Sequence, residues 1–217
     1  MRGDTNSALQ RFPRYYQYLN ELHSVGVEQV SSRMLGKRLD ISGSLVRKDF
    51  SRFGEFGQAG YCYNVAELRA HIGHILGTDS RRRTIIVGVE GLGRSLLDSL
   101  QFASAGFYVE AAFDSSPDLV GTDVNGIPVL DMSELEPFVR NYGIDTAVLT
   151  LSSRAAQRIA RRLSYLGIRQ FWNVSGMDIV LNECIVEELN LTDSLLTLGY
   201  QLTRREEEGR TMYQDAG

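Results

Sequence analysis

Residues 83–97 constrain the fold more than any other part of the chain. An apolar segment leads into a Gly-x-x-x-x-Gly turn, from Gly88 to Gly93, and then into the start of a helix. This is the layout of a dinucleotide-binding turn, whose glycines allow a tight turn, a close approach to the pyrophosphate and helix packing. The middle glycine of that layout is replaced by Glu90, whose carboxylate takes up room and repels a pyrophosphate. The turn therefore predicts a nucleotide-type fold and argues against the nucleotide itself.

After this turn, short apolar segments alternate with amphipathic ones. We predict strands at 84–89, 107–113, 127–130, 145–150 and 168–172, and helices at 92–105, 133–142 and 153–166. Such alternation is typical of a mostly parallel sheet with helices on its faces. Residues 177–189 are expected to add one or two strands, and the leucines from Leu191 onward predict a final amphipathic helix. We therefore expect a Rossmann-like, doubly wound α/β domain.

The N-terminal part predicts short helices. Ser31 or Ser32 is expected to cap one helix, and Ser44 is expected to cap the next, at residues 45–53. A short helix, a tight turn at residues 40–43 and a helix with basic residues make up the helix-turn-helix plan.

Glycines and aromatic residues then alternate over residues 53–63, which predicts a small β-hairpin or wing. Asn64 and Glu67 form a plausible capping pair for a further helix at residues 65–76. The polar segment 77–83 is the best candidate for a domain boundary.

Charge is spread unevenly over the two parts of the chain. Residues 1–80 have a balance of +2, whereas residues 81–217 have a balance of −6, within a net charge of −4. Arg47 and Lys48 fall early in the predicted second helix of the helix-turn-helix, where side chains reach bases or phosphates. Ser44 would add a hydroxyl at the helix N-terminus. The alternative is a solvated basic helix in an interaction module.

Catalysis and metal binding find little support in the sequence. His23, His71 and His74 all precede the nucleotide-type turn, and no third ligand is evident for a metal pair. Cys62 and Cys184 lack metal-ligating neighbours, which favours a reduced cytoplasmic protein. No segment has the length and apolar character of a membrane span or a signal peptide. We predict neither catalytic nor metal-binding residues, and no membrane partner.

The motifs resemble those of the Rex family of redox-sensing bacterial transcriptional repressors. The resemblance rests on Phe12-Pro13-Arg14-Tyr15-Tyr16, on Val46-Arg47-Lys48-Asp49-Phe50 with the residues up to Gly57, on Ala111-Ala112-Phe113-Asp114 and on Gly126-Ile127-Pro128-Val129. It implies a winged-helix domain at 1–80, a dinucleotide-binding domain at 81–190 and a C-terminal dimerisation helix and tail at 191–217. It also implies a homodimer with exchanged C-terminal helices that binds double-stranded operator DNA and releases it when NADH replaces NAD⁺.

Several positions depart from the family pattern. They are Glu90 for glycine, Ser99 for tyrosine, Asn190 for aspartate, Val174-Ser175-Gly176 for Phe-Ala-Pro after Asn173, and Gln58-Ala59 for a basic pair in the wing. In the family the tyrosine and the aspartate, with the arginine matched by Arg14, link bound NADH to the DNA-binding domain. We therefore expect a divergent member whose response to NADH is weakened, with a response to another ligand or to none as the alternative. An alternative from a different functional class is a NAD-dependent enzyme that carries an N-terminal module.

Two sets of site residues follow from the motifs and the resemblance. The predicted DNA-binding residues are Arg14, Ser32, Ser44, Arg47, Lys48, Arg52 and Gln58. The predicted NAD(H)-binding residues are Gly88, Val89, Glu90, Gly91, Leu92, Gly93, Asp114, Leu151 and Asn173. Asp114 lies about where a ribose-binding acid belongs, roughly 20 residues after the turn. The alternative for Asp114 is that it merely opens a loop.

Overall fold

The structure, a computed structural model, describes residues 8–53 and 62–214. The chain divides into two compact units. The first unit extends to Ser80 and includes residues 104–106. The second comprises residues 81–103 and the chain from Phe107 onward.

The first unit combines short helices with an antiparallel pair of strands. Its elements are α1 (Phe12–Ser24), β1 (Gln29–Ser31), α2 (Ser32–Leu39), α3 (Gly43–Ser51), β2 (Cys62–Asn64) and α4 (Val65–Leu76). Helices α2 and α3 with the turn between them form the predicted helix-turn-helix, and β1 pairs with β2. Residues 54–61 of the predicted wing lie outside the described residues. As predicted, the Asn64 side chain caps α4 by accepting a hydrogen bond from the Glu67 N–H at 3.0 Å.

Serine side chains cap α2 and α3. The Ser31 hydroxyl accepts a hydrogen bond from the Met34 N–H at 3.1 Å, which selects Ser31 as the cap of α2. The Ser42 hydroxyl accepts one from the Leu45 N–H at 3.2 Å. The prediction that Ser44 caps α3 is therefore wrong. The backbone of Ser42 is extended, so the helix begins at the next residue and Ser44 lies inside its first turn.

Aromatic side chains fill the core of the first unit. Phe12, Tyr15 and Phe50 are at most 2% exposed. The rings of Tyr15 and Phe50 meet edge to face with centroids 5.1 Å apart, which joins α1 to α3. Each such ring removes a large apolar area from water, so the aromatic cluster fixes the orientation of α3.

The second unit alternates strands and helices. Its elements are β3 (Arg82–Val87), α5 (Leu92–Ser99), β4 (Phe107–Asp114), β5 (Asp123–Val124), β6 (Ile127–Asp131), α6 (Leu135–Tyr142), β7 (Thr146–Leu149), α7 (Ser153–Tyr165), β8 (Gln170–Asn173), β9 (Ile185–Glu188) and α8 (Leu191–Gln214), with a short 3₁₀ turn at Met132–Glu134. A second 3₁₀ turn, Phe102–Ala105, is divided between the two units. Residues 177–189 thus contribute one strand.

The strands form one sheet in the order β5-β6-β4-β3-β7-β8-β9. Neighbouring strands are parallel, except for the edge strand β5 against β6. From β3 the chain moves outward through β4 and β6, then returns to the other side of β3 for β7, β8 and β9. This reversal confirms the doubly wound fold, and it opens a crevice beyond the carboxyl ends of β3 and β7, where such folds bind ligands.

Helix α5 is shorter than predicted. It ends at Ser99, because Leu100 adopts an extended backbone, and a 3₁₀ turn follows before β4. The Leu97 carbonyl accepts a hydrogen bond from the Asn125 side chain at 3.3 Å. This contact comes from a distant loop, so helical periodicity does not reveal it.

None of the helices in the described part of the chain is both long enough and apolar enough to cross a membrane. Three or more metal-ligating side chains do not gather at any point in the same part.

Candidate functional site

Helix α3 has a buried face and an exposed face. Val46, Asp49 and Phe50 are at most 2% exposed, whereas Arg47 and Lys48 are exposed. The helix therefore packs on the core with one side and presents two cations on the other. That is the arrangement by which the second helix of a helix-turn-helix meets DNA.

A buried carboxylate holds α3 against α1. Asp49 accepts hydrogen bonds from Arg11 Nε at 2.7 Å, from Arg11 Nη2 at 2.6 Å and from the Tyr15 hydroxyl at 2.9 Å. The hydrogen bond to Asp49 raises the pKa of Arg11, and burial, followed by the same carboxylate, raises the pKa of Tyr15. Sequence reasoning missed the roles of Arg11 and Asp49. The one signal was an acidic residue inside an otherwise basic helix.

The structure brings Ser32 and Arg47 together. Arg47 Nη1 donates a hydrogen bond to the Ser32 hydroxyl at 2.9 Å, and Ser32 is 2% exposed. The buried Ser32 hydroxyl therefore orients the Arg47 side chain. Ser44 is exposed, and its hydroxyl oxygen lies 2.9 Å from that of Ser42.

Arg14, Arg52 and Gln58 complete the predicted DNA-binding set. Arg14 is exposed on α1, with Nη2 at 3.5 Å from the Leu39 carbonyl oxygen. Arg52 is exposed just after α3, and Gln58 lies outside the described residues.

The helix-turn-helix leaves no room for a side chain at Gly36. A Cβ atom there would lie 2.6 Å from the Ile41 carbonyl oxygen. Asp40 turns the chain with a left-handed backbone at φ 58°. The tight turn therefore fixes the angle between α2 and α3.

In the second unit, two glycines of the 88–93 turn are required by the fold. A Cβ at Gly88 would lie 2.6 Å from Thr150 Oγ1, and one at Gly93 would lie 2.1 Å from the Gly88 carbonyl oxygen. Thr150 Oγ1 also lies 2.6 Å from that carbonyl oxygen and 3.0 Å from the Val87 carbonyl oxygen. The threonine thus ties the end of β7 to the turn. Sequence reasoning missed it, although its place directly after a strand at the reversal was a signal.

Glu90 fits the turn without backbone strain. Its φ is not positive, it is exposed, and its carbonyl accepts a hydrogen bond from the Gly93 N–H at 3.2 Å. Gly91 follows with φ +54°, and nothing lies within 4 Å of the position of a Cβ there. The turn keeps its shape, but it carries a negative charge.

Asp114 is already engaged by backbone N–H groups. At the end of β4 and 8% exposed, it accepts hydrogen bonds from Val89 at 2.6 Å, Ser115 at 2.7 Å and Ser116 at 2.9 Å. The carboxylate thereby links the turn to the loop after β4. These contacts agree with the loop-opening alternative, and ribose binding by Asp114 stays a prediction.

Asn173 is likewise engaged within the chain. Fully buried at the end of β8, it donates hydrogen bonds from Nδ2 to the Met177 carbonyl oxygen at 2.7 Å and to Glu188 Oε2, and it accepts one from the Ser175 N–H at 3.1 Å. Glu188 Oε1 accepts the Ile179 N–H at 2.8 Å. Both amide protons are therefore used to hold the loop after β8, and Glu188, which sequence reasoning missed, completes the network.

The remaining predicted cofactor residues lie at the same carboxyl edge of the sheet. Leu151 is half-buried after β7, and its Cδ2 would lie 3.1 Å from a Cβ at Gly88. Val89 is buried, and Leu92 opens α5. The carboxyl edge of the sheet thus gathers the residues that the motif predicted.

Comparison with known proteins matches both units. The family model of the CoA binding domain matches residues 79–177, and that of the putative DNA-binding protein N-terminus matches residues 6–51. The redox-sensing transcriptional repressor Rex of Clostridioides difficile is 38% identical over 204 residues, covering 92% of this chain and 97% of that protein. The Rex of Clostridium tetani is 35% identical over 207 residues, covering 95% of this chain and 98% of that protein.

Solved structures agree with these relatives. RSP, a Rex-family repressor, bound to β-NAD⁺ and operator DNA superposes with a TM-score of 0.84 at 36% identity, covering 94% of each chain. The β-NADH complex of RSP gives 0.83 at 34% identity, covering 94% of this chain and 96% of the other. The N-terminal DNA-binding domain and the Rossmann-like domain predicted from the motifs are thus confirmed, and this chain belongs to the Rex family of redox-sensing transcriptional repressors.

Proposed function

We propose that this chain is a transcriptional repressor that binds operator DNA as a homodimer, is modulated by the NADH/NAD⁺ ratio and responds weakly to NADH. The observation that carries the proposal is the exposed pair Arg47 and Lys48 on a helix that Asp49 fixes to the core. Its relative RSP binds operator DNA with the same fold. The chain is a regulator rather than an enzyme, and it acts in the cytoplasm, where bacterial DNA lies.

The C-terminal helix supports the dimer. Helix α8 is 24 residues long, and six of its apolar side chains are more than half exposed. They are Leu191, Leu195, Leu196, Leu198, Tyr200 and Leu202. Helices in proteins are stabilised mainly by packing of an apolar face, and a large exposed apolar patch usually marks an interaction site. We therefore propose that a second copy of the chain packs against this face of α8. The domain-swapped exchange of these helices is part of the same proposal.

Two backbone features at the carboxyl edge of the sheet support dinucleotide binding. The turn from Gly88 to Gly93 has the required shape, and α5 begins directly after it, where helix N-termini favour a phosphate. A bound NAD(H) would report the redox state of the cell. The residues proposed to hold it are those of the turn with Leu151, while Asp114 and Asn173 shape the loops on either side.

Glu90 weakens this site through its charge. At a separation on the order of 7 Å in water, a carboxylate repels a doubly charged pyrophosphate by about 1–2 kcal/mol, a loss of roughly 5- to 30-fold in affinity. Physiological salt reduces the effect, because the Debye length is about 8 Å. The dinucleotide is therefore expected to bind, but less tightly than with glycine at this position.

Calorimetric titration with NADH, NAD⁺ and ATP tests this part. Glu90→Gly should bind NADH roughly 5- to 30-fold more tightly than the native protein. Glu90→Gln should recover most of that gain, because it removes the charge and keeps the bulk. Glu183→Gln, at the opposite edge of the sheet just before β9, is the matched control and should change nothing. Submicromolar NADH binding by the native protein would overturn the weakened response.

Fluorescence anisotropy with the operator duplex of RSP tests the DNA-binding part. Arg47→Ala and Lys48→Ala should each weaken binding by about tenfold or more, because a base contact is worth about 1–3 kcal/mol. Lys37→Ala, exposed on α2, is the control. Unchanged affinity in both α3 variants means that α3 is not the DNA-reading helix.

A regulator that ignores NADH is the second candidate. The charge at Glu90 and the engagement of Asn173 within the chain favour it. Operator binding that stays the same at saturating NADH, in both the native protein and Glu90→Gly, would select this candidate.

A further inference from the structure

Helix α7 of the second unit carries an unusual concentration of arginine. Residues 146–177 contain five arginines and no Asp or Glu, although residues 81–217 as a whole have a balance of −6. Four of the five lie on α7, at positions 154, 158, 161 and 162, and all four are exposed. We call Arg154, Arg158, Arg161 and Arg162, together with Tyr165, the α7 stripe.

Spacing places the stripe on one side of the helix. Steps of four and three residues bring Arg154, Arg158 and Arg161 to one face, and Tyr165 continues it one turn later at 91% exposure. The opposite face holds the apolar residues Ala156, Ile159, Ala160 and Leu163, which are at most 7% exposed. The helix is therefore anchored by one side and offers cations on the other.

Within residues 8–53 and 62–214, most of this charge is not neutralised. Arg162 pairs with Glu136, with Nε at 2.8 Å from Oε1. Among the residues that the structure describes, no carboxylate pairs with Arg154, Arg158 or Arg161. Three adjacent guanidinium groups repel one another, so an anion beside them is favoured.

We propose that the α7 stripe binds the phosphate backbone of double-stranded DNA, as a second DNA contact outside the helix-turn-helix. The inference rests on the proposed function, because a repressor that binds operator DNA has this polyanion as its partner. From Arg154 to Arg161 the helix rises about 10.5 Å, a span of about three phosphates along one strand. Arginine suits this partner, because its planar guanidinium donates two parallel hydrogen bonds to a phosphate.

The chemistry of the stripe favours DNA over a membrane or an acidic protein. Membrane-surface helices insert an apolar face, and protein interfaces bury an apolar centre. The apolar face of α7 is already used by the core, which leaves Tyr165 as the large apolar group of the stripe. A surface that is polar and strongly positive is typical of protein–DNA interfaces.

Salt-dependent binding of the full chain to duplex DNA tests the proposal. The probes are a long duplex with the RSP operator at its centre and a random duplex of equal length. The variant Arg158→Gln/Arg161→Gln should lose roughly tenfold in affinity for both probes at 0.15 M salt, and its slope of log K against log salt should fall by about 2. Arg81→Gln/Arg140→Gln removes the same charge from exposed sites elsewhere in the second unit and should leave the slope unchanged.

The outcomes separate the two proposals. If Arg47→Ala weakens operator binding while the α7 variant matches its control, the second contact is wrong and the repressor function stands. If the α7 variant loses random-duplex binding while operator preference is absent, the second contact stands and the repressor function fails. Lost dimer assembly in the α7 variant, measured by sedimentation, or lost binding to vesicles rich in anionic lipid with unchanged DNA binding, would assign the stripe to another partner and overturn the proposal.

Discussion

Replacing Asp49 with alanine should strongly reduce the free energy of unfolding of the first unit. The change leaves the Arg11 guanidinium and the Tyr15 hydroxyl without the acceptor that now takes three hydrogen bonds at 2.6–2.9 Å. Breaking a buried ion pair by removing one partner costs about 3–5 kcal/mol. The Arg11 side chain is 20% exposed and can regain some water, which places the expected loss near 3 kcal/mol.

Urea denaturation measures this loss in each unit separately. Trp172, the one tryptophan of the chain, lies on β8, so its fluorescence follows the second unit. Far-UV circular dichroism follows the helices of both units. In Asp49→Ala the dichroism should show an early transition, while the fluorescence midpoint stays in place.

A double variant separates the ion pair from simple loss of packing. Arg11→Met/Asp49→Ala removes both charges and should recover part of the stability, because no unpaired charge remains near the core. A loss below about 1 kcal/mol in the single variant, or no recovery in the double variant, would refute the view that this carboxylate fixes α3.

Three further outcomes follow from the same structure. Because the pKa of Tyr15 is raised above its ordinary 10.0, the unfolded chain loses this proton first, so the stability of the first unit should fall as pH rises above 10, as measured by urea midpoints. Gly93→Ala should destabilise the second unit by about 2–3 kcal/mol in Trp172 fluorescence, whereas Gly199→Ala, in open space on α8, should not. Leu195→Arg should weaken the dimer at least tenfold in sedimentation equilibrium, since it places a charge in the proposed apolar contact.

Local patterns predicted most of the fold. Alternation of apolar and amphipathic segments placed the strands of the sheet, because each half-buried element repeats its apolar residues at its own period. The errors lie at element ends. Helix α3 begins at Gly43 because Ser42 rather than Ser44 takes the capping position, and α5 ends early where the Asn125 side chain binds the Leu97 carbonyl. Both depend on which of several similar groups forms the hydrogen bond, and sequence spacing does not decide that.

The candidate sites were harder to predict than the fold. The motif predicted the position of the turn. The Asp114 side chain, however, binds backbone groups of this turn and of the loop after β4, and the Asn173 side chain binds those of the loop after β8. Asp49 gave little signal, since its partner Arg11 lies 38 residues away in sequence. Hydrogen bonds between residues that are distant in sequence form only in the packed fold, so local sequence patterns do not predict them.

Glu90 shows which part of the turn the fold controls. Gly88 and Gly93 have no room for a Cβ, so the fold itself demands glycine at both positions. Position 90 is exposed and its φ is not positive, so the backbone of the turn does not require glycine there. Only an approaching pyrophosphate requires glycine at this point. A glutamate at position 90 is therefore compatible with an intact sheet, and the weakened response to NADH that we propose would arise from the charge beside the ligand rather than from a change in the fold.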